Sequence, residues 1–232
     1  MAGFVKNVWQ MGVLVGLAIG FAGCGAMSSD GSREYKDTFV VDKGNWESEG
    51  ISAYYMLVPG HVMRYGHKAD SLTIKVTWEV KVVDGVETRV VEEREEVGGK
   101  LAEISRNYFA MDKATGDLYY FGEDVDIYKD GKVTGHEGSW LSGEQGAKYG
   151  LMVPGRPKEG QKFQMEVAPG VAMDRGEVAS VSEEVKTPAG VFMGCVKILE
   201  TSAMEKGTAL KVFAPGVGLV KDDEFELAEM PG

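Results

Sequence analysis

The sequence has 232 residues, of which 44% are hydrophobic and 26% are charged, an ordinary balance for one globular domain with its own core. Its formal net charge is −11, and since Lys6 is the only charge before Cys24, the part from Cys24 onward carries −12. Such an acidic chain is repelled by phosphate backbones and anionic lipid surfaces, which argues against nucleic acid as a partner. Any attachment to a membrane must therefore come from something other than charge.

The first 23 residues have the features of a secretory signal. Lys6 is followed by an apolar and glycine-rich run, Val8–Ala22, that only Gln10 interrupts. A weakly positive start and a short apolar run are typical of such signals. The run is shorter than the ~20 apolar residues that a membrane-spanning helix needs. The sequence therefore predicts a signal peptide at residues 1–23.

Cys24 is the predicted site of lipid attachment. The apolar run ends in Phe21-Ala22-Gly23-Cys24-Gly25, which resembles the bacterial lipobox, although that motif prefers Leu where Phe21 stands. The resemblance implies acyl chains on Cys24 that anchor the protein in a membrane, with residues 24–33 as lipidated cysteine and flexible tether. Because no Asp follows Cys24 as an inner-membrane retention signal, we expect the outer membrane, facing the periplasm, in a host with two membranes. The alternative is an ordinary cleaved signal that contains a cysteine.

Residues 71–140 predict a β-meander. Apolar and polar residues alternate from Leu72 to Val82, which is the pattern of a strand with one buried face. Evenly spaced turn sequences follow, at Asp84-Gly85, Gly98-Gly99, Asp112–Gly116 and Asp130-Gly131. At the first turn a two-residue loop places Val82 opposite Glu87. A three-residue loop instead places Val82 opposite Val86, and we favour it because both partners are apolar.

The remainder of the chain is also predicted to be strand and turn. Five of the seven prolines precede a glycine, a pair suited to type II turns. The predicted later strands are 161–167, 175–186, 190–201, 208–214 and 217–227. Helical structure is limited to single turns near 140–149 or 204–207. Residues 34–232 therefore predict a single, mainly β globular domain, whose antiparallel meander forms a curved sheet, a half-barrel or a two-layer sandwich.

The stretch from Thr88 to Val220 resembles a family of uncharacterised secreted bacterial β-rich proteins. Four segments and one cysteine carry the resemblance, namely Tyr119–Asp126, His136–Leu141, Pro188-Ala189-Gly190, Cys195 and Ala214–Val220. The resemblance implies no activity. The Pro-Ala-Gly, Cys and Ala-Pro-Gly-Val-Gly-Leu pattern is also faintly similar to periplasmic half-barrel proteins of the lipoprotein-carrier type, through turn chemistry rather than through a site.

An acidic hairpin is the candidate metal site. Asp124 and Asp126 share one face of a strand, and Glu137 follows the Asp130-Gly131 turn. A two-residue loop places Asp124 opposite Glu137, and a three-residue loop places it opposite His136. Carboxylates grouped in this way can bind a hard cation such as Ca²⁺, although the spacing is not that of a calcium-binding loop. The alternative is a solvated acidic face with an Asp–His or Glu–His pair.

Other chemistry has little support in the sequence. The three histidines have no zinc-protease spacing, and no nucleophile elbow or phosphate-binding glycine loop occurs. If Cys24 is acylated, Cys195 has no disulfide partner, and its apolar surroundings predict a small buried side chain.

These observations predict a cell-envelope lipoprotein that serves as a non-catalytic binding or scaffolding module without a cofactor. Its expected partners are the membrane, through Cys24, and an apolar ligand or an envelope protein. One alternative is a lipid or hydrophobic-ligand carrier, with Val76, Trp78 and Val80 on the concave face of the sheet. A second is a hydrolase of envelope polymers that uses Glu123, Asp124, Asp126 and Glu137 as acid and base.

Overall fold

The computed structural model describes residues 35–204 and 206–230. Within these residues the secondary structure is strand and turn, apart from a 3-10 helix at Lys43–Asn45. The strands are β1 Trp46–Glu47, β2 Gly50–Ile51, β3 Met56–Leu57, β4 Val62–His67, β5 Asp70–Val83, β6 Val86–Val97, β7 Lys100–Asp112, β8 Leu118–Lys129, β9 Lys132–Gly135, β10 Trp140–Leu141, β11 Lys148–Val153, β12 Lys162–Gln164, β13 Glu166–Val167, β14 Asp174–Thr187, β15 Gly190–Ser202, β16 Ala209–Ala214, β17 Gly218–Asp222 and β18 Phe225–Glu229.

Of the strands that the structure describes, sixteen form one antiparallel sheet. Its order is β12-β14-β15-β16-β17-β18-β4-β5-β6-β7-β8-β11-β13, with β1 added to β7 and with β9 and β10 added to β8. The strands at the two ends, β12 and β13, belong to one chain segment, so the sheet curves until it nearly closes on itself. The predicted mainly β fold with a curved antiparallel sheet is confirmed. The predicted boundaries at residues 23 and 33 lie outside the described residues.

The β5–β6 hairpin corrects the predicted turn. Val83 pairs with Val86 and Val82 with Glu87, so the loop has two residues, and the three-residue prediction was wrong. Asp84 and Gly85 both have positive φ, as in the two-residue turns whose twist matches that of the flanking strands. As a result Val83 is buried, while Val82 is exposed.

The later strands lie close to their predicted positions, but two of them are divided. The predicted strand 161–167 is two strands, β12 and β13, which pair with β14 and β11 respectively. The predicted strand 217–227 is two strands, β17 and β18, which pair with each other. Asp223 lies between them with a φ of 50°, in the left-handed region, and reverses the chain there. The sequence signal was weak because the residue in this conformation is Asp rather than Gly.

The core is formed by side chains from the inner face of the curved sheet and from the segment before β4. Tyr55 and Leu57 from that segment are buried together with Val76 of β5. Cys195 is also fully buried, which confirms the predicted small buried side chain. Trp78 and Val80 do not belong to the core: both are exposed, which corrects their predicted place on an enclosed concave face.

Gly122 allows β10 to approach β8. Its φ is +122°, and its partner in the sheet is Leu141. A Cβ atom at this position would overlap the backbone carbonyl oxygen of Trp140. Because backbone rather than a flexible side chain blocks the space, the close pairing of the two strands requires glycine.

We expect Gly122→Ala to lower the free energy of unfolding by about 3 kcal/mol or more, since it combines a disfavoured φ with a backbone overlap. Gly131→Ala is the matched control, because Gly131 also has positive φ but an added Cβ meets nothing within 4 Å. Its expected cost is about 1 kcal/mol. Urea denaturation of both variants measures the difference, and equal losses would contradict the close-approach explanation.

Candidate functional site

The acidic hairpin consists of β8 and β9, and it has the two-residue loop of one predicted alternative, but its register changes before Glu137. Lys129 pairs with Lys132, and Ile127 with Gly135, with a register shift between the two pairs. The Asp130-Gly131 loop thus has two residues, and the shift brings His136 beside Asp126 rather than Asp124. Asp124 and Asp126 lie on the outer face of β8, whereas the intervening Val125 is buried.

Asp124 is bonded to side chains from two other strands of the sheet. Lys81 on β5 donates to its Oδ2 at 2.9 Å, and the Tyr108 hydroxyl on β7 donates to the same oxygen. Partial burial acts to raise the pKa of Asp124, but these hydrogen bonds and the charges of Lys81 and Arg106 hold it below the usual value. Asp124 is therefore ionised at neutral pH.

Asp126 has a different pair of partners. Arg106 donates to its Oδ2 at 3.0 Å, and His136 Nδ1 lies 3.1 Å from its Oδ1. Glu137 is exposed and lies beside Gly135. The residues that the structure describes contain no group of three His, Cys, Asp or Glu side chains that could hold a metal ion. The geometry favours the alternative interpretation, a solvated acidic face with an Asp–His pair, and calcium binding stays a prediction.

A pocket of about 180 Å³ lies beside Asp124. It is formed by the loop after β10 and by the turn around Pro169-Gly170, two segments that are distant in sequence. Its lining consists of Asp124, Ser139, Trp140, Leu141, Glu144, Gln145, Ala147, Ala168, Pro169 and Val171. Sequence reasoning identified Asp124 but missed the other members, since no short motif contains them.

The pocket combines carboxylates with an apolar surface. Asp124 and Glu144 contribute carboxyl groups, and Leu141, Ala147 and Val171 contribute apolar side chains. The hydrogen bonds from Lys81 and Tyr108 to Asp124 both use Oδ2, which leaves Oδ1 able to accept a further hydrogen bond. The loop is held in place by Ser142, whose hydroxyl donates to Asp84 at 2.9 Å and accepts from the Tyr149 backbone N–H.

The interior of the sheet contains a second group of acidic side chains. They are Glu93, Glu123, Glu166, Asp174, Glu200 and Asp222, and they lie near the buried ammonium group of Lys211. Lys211 donates to both carboxylate oxygens of Asp222 at 3.0 Å. Burial raises the pKa of Glu93 and of Glu166 well above the usual value, because the charged carboxylate is disfavoured away from water. Glu123 thus belongs to the interior and faces away from Asp124.

Glu95 and Glu103 form a pair near the β6–β7 turn. They lie directly opposite each other on β6 and β7, and both are buried. Burial, and then the charge of Glu103, raises the pKa of Glu95 to about 8. Burial raises the pKa of Glu103 to about 7. The two groups therefore bind protons in the folded protein at a pH at which an unfolded chain has released them.

The histidines and the cysteine that were considered for zinc binding or nucleophilic catalysis lie apart from one another. His61 is buried, and its burial lowers the pKa of its ring. His67 lies at the end of β4, and its Nε2 is 3.1 Å from Oε2 of Glu224. Burial raises the pKa of the Cys195 thiol, which opposes thiolate formation. Cys24, the predicted lipidation site, lies outside the described residues.

Comparisons with known proteins give no family for the chain. No family model and no curated protein matches it. One solved structure, described as that of a candidate lipoprotein from Parabacteroides distasonis, has 13% sequence identity and covers 78% of this chain and 100% of that chain, with a TM-score of 0.38. A likeness of this size carries no argument about fold or function. The resemblance to uncharacterised secreted proteins therefore stays a prediction.

In residues 35–204 and 206–230, no helix is both long enough and apolar enough to span a bilayer.

We predict that the protein becomes more stable as the pH falls from 8 to 6. A carboxyl group with a raised pKa in the folded state must take up a proton on folding. It therefore lowers the free energy of unfolding by an amount that grows as the pH rises from about 4.5 toward its folded pKa. For Glu95 the expected loss between pH 6 and pH 8 is about 2 kcal/mol. Glu95→Gln should flatten this dependence in thermal melts, whereas Glu92→Gln, on the outer face of β6, should leave it unchanged. A variant Glu95→Gln with the full slope would show that other groups cause it.

Proposed function

We propose that the chain is a cell-envelope lipoprotein, anchored through acyl chains on Cys24, whose folded domain is a non-catalytic binding module. The apolar run that ends in Ala22-Gly23-Cys24 supports the anchor. The strong negative charge of the domain agrees with it, because charge alone offers no attachment to an anionic membrane. In a host with two membranes the proposed location is the outer membrane, facing the periplasm.

The pocket beside Asp124 is the observation that carries the binding function. Two carboxyl groups, of Asp124 and Glu144, line the pocket, and Lys81 is bonded to Asp124. The guanidinium group of Arg106 also lies near Asp124, but it is bonded to Asp126, so the ammonium group of Lys81 is left to balance the two carboxyl groups. A ligand that adds one positive charge would complete this balance, and its aliphatic part would lie against Leu141 and Val171. The proposed ligand is therefore a basic group at the end of a short aliphatic chain, either a lysine side chain of an envelope protein or a free diamine.

The size of the pocket agrees with such a ligand. Its volume of about 180 Å³ is below the ~300 Å³ at which pockets for drug-sized molecules begin. A lipid carrier has less support, because the chain's own aromatic and acidic side chains fill the interior. A carboxylate-dependent hydrolase also has less support, since Glu123 faces the interior and Asp126 is bonded to Arg106.

We expect Cys24→Ser to release the protein from the membrane fraction, because the acyl chains supply the attachment. Cys195→Ser is the matched control: that side chain is buried in the domain, so the variant should stay with the membrane. Fractionation followed by mass spectrometry of the N-terminal peptide measures both. A Cys24→Ser protein that remains unprocessed and membrane-bound would rule out the lipid anchor.

Calorimetric titration of the detergent-purified full chain tests the pocket, with 1,5-diaminopentane and an Ala-Lys-Ala peptide as probes. We expect Asp124→Asn to weaken binding by about tenfold, equivalent to ~1.4 kcal/mol, since a charged hydrogen-bond acceptor is lost. Lys81→Met should strengthen binding, because it removes the competing ammonium group. The matched control is Asp126→Asn, on the same strand and face but outside the pocket.

The two probes separate the two sources of the ligand. Binding of the peptide but not of the diamine indicates a protein partner, and the reverse indicates a free amine. Absence of binding to both probes, or an equal loss in the Asp124→Asn and Asp126→Asn variants, would contradict the proposed site.

A further inference from the structure

Exposed apolar side chains are concentrated at one end of the sheet. Of the eleven large apolar side chains that are exposed among the described residues, seven lie at this end, here called the upper rim. They are Ile51, Trp78, Val80, Val82, Val191, Met193 and Met230. The upper rim is defined as the end that carries the turns of the β5–β6, β14–β15 and β16–β17 hairpins.

The strand order places these turns at the same edge of the sheet. Every neighbouring pair on the path from β14 to β5 is antiparallel, and six such steps separate the two strands. Strands an even number of antiparallel steps apart run in the same direction, so β14 and β5 end at the same edge of the sheet. Ile51 belongs to this edge as well, because the Gly216 N–H at the β16–β17 turn donates to the Ala53 carbonyl.

The β5–β6 hairpin presents the largest apolar side chain of the rim. The register of β5 and β6 shifts between Val76 and Val80, and the burial of β5 changes at the same point. Val76 is fully buried, whereas Trp78 is 77% exposed and Val82 is 68% exposed. An exposed tryptophan in line with two valines has no role in the core. On the second long hairpin, Val191 and Met193 are exposed in the same way.

We propose that the upper rim docks onto the lipid bilayer that carries the anchor, with Trp78, Val80 and Val82 entering the interfacial layer. Tryptophan favours this layer because its ring is apolar at one end and polar at the other. The proposal rests on the proposed lipidation of Cys24, since the anchor holds the domain beside a bilayer.

The length of the tether supports a bilayer as the occupant. Ten residues, 25–34, lie between Cys24 and Tyr35, the first described residue, and the eleven steps of the chain reach at most about 40 Å when fully extended. The 14 residues of β5 extend over about 45 Å. The domain therefore stays within about its own length of the membrane. The hairpin also carries Glu79 and Glu87, which favour a zwitterionic over an anionic lipid surface.

Fluorescence of the acylated full chain in phosphatidylcholine vesicles tests this docking. Trp46 packs against Tyr119 and Phe121, and Trp140 is buried, which leaves Trp78 as the exposed indole of the described residues. Lipids with brominated acyl chains should quench the wild-type protein. Trp78→Phe should remove most of that quenching, which identifies the indole responsible.

A double variant, Val80→Asp with Val82→Asp, should also lose most of the quenching while its circular dichroism is unchanged. Val133→Asp is the matched control, because Val133 is exposed to a similar degree but lies on β9, toward the opposite end. Equal losses in the control and the double variant would overturn the proposal. So would an emission shift that follows protein concentration without lipid, since that result assigns the rim to a second copy of the chain.

Acylation is measured separately, by the mass of the N-terminal peptide. A fully acylated protein whose Trp78 is not quenched overturns the docking alone, and a protein without acyl chains on Cys24 overturns the anchor on which the docking depends.

Discussion

The enclosure of the interior depends on one short segment, Lys162–Val167, that bonds to both ends of the sheet. Its first half, β12, pairs with β14, and its second half, β13, pairs with β11. Between them the Met165 N–H donates to the Asp174 carbonyl at 2.8 Å. Because this segment bonds on both sides, two sheet edges that would otherwise be open are satisfied. The same closure removes Glu93 and Glu166 from water, which is why the pKa of each carboxyl is raised.

Much of the fold follows from short-range patterns in the sequence. Alternation and turn residues predicted β5 to β8 and most later strands, because a half-buried strand and a tight turn each leave a local signal. The shift between Val76 and Val80 has no such signal. The shift is accompanied by contacts between segments that are distant in sequence, since Arg89 donates to the carbonyl groups of Ser48 and Trp78. This is why alternation alone placed Trp78 and Val80 on an enclosed face.

The candidate site was less predictable, because its parts come from distant segments. The partners of Asp124 and Asp126 come from β5 and β7, and the register shift before His136 decides which aspartate it meets. The buried acids were missed for a related reason. Glu92-Glu93-Arg94-Glu95-Glu96 has the composition of a solvated strand, and only its continuity with the buried Val91 shows that Glu93 and Glu95 face inward.

The burial of Cys195 has a consequence for the reaction of its thiol with oxidants. Its thiol is fully buried and lies in a strand that pairs on both sides, so an oxidant or a second thiol reaches it only when the sheet opens. In an oxidising compartment the native molecule is thus protected, while an unfolded molecule can form mixed disulfides and cross-linked dimers. Closure of the sheet is therefore the step that protects the chain from cross-linking through this thiol.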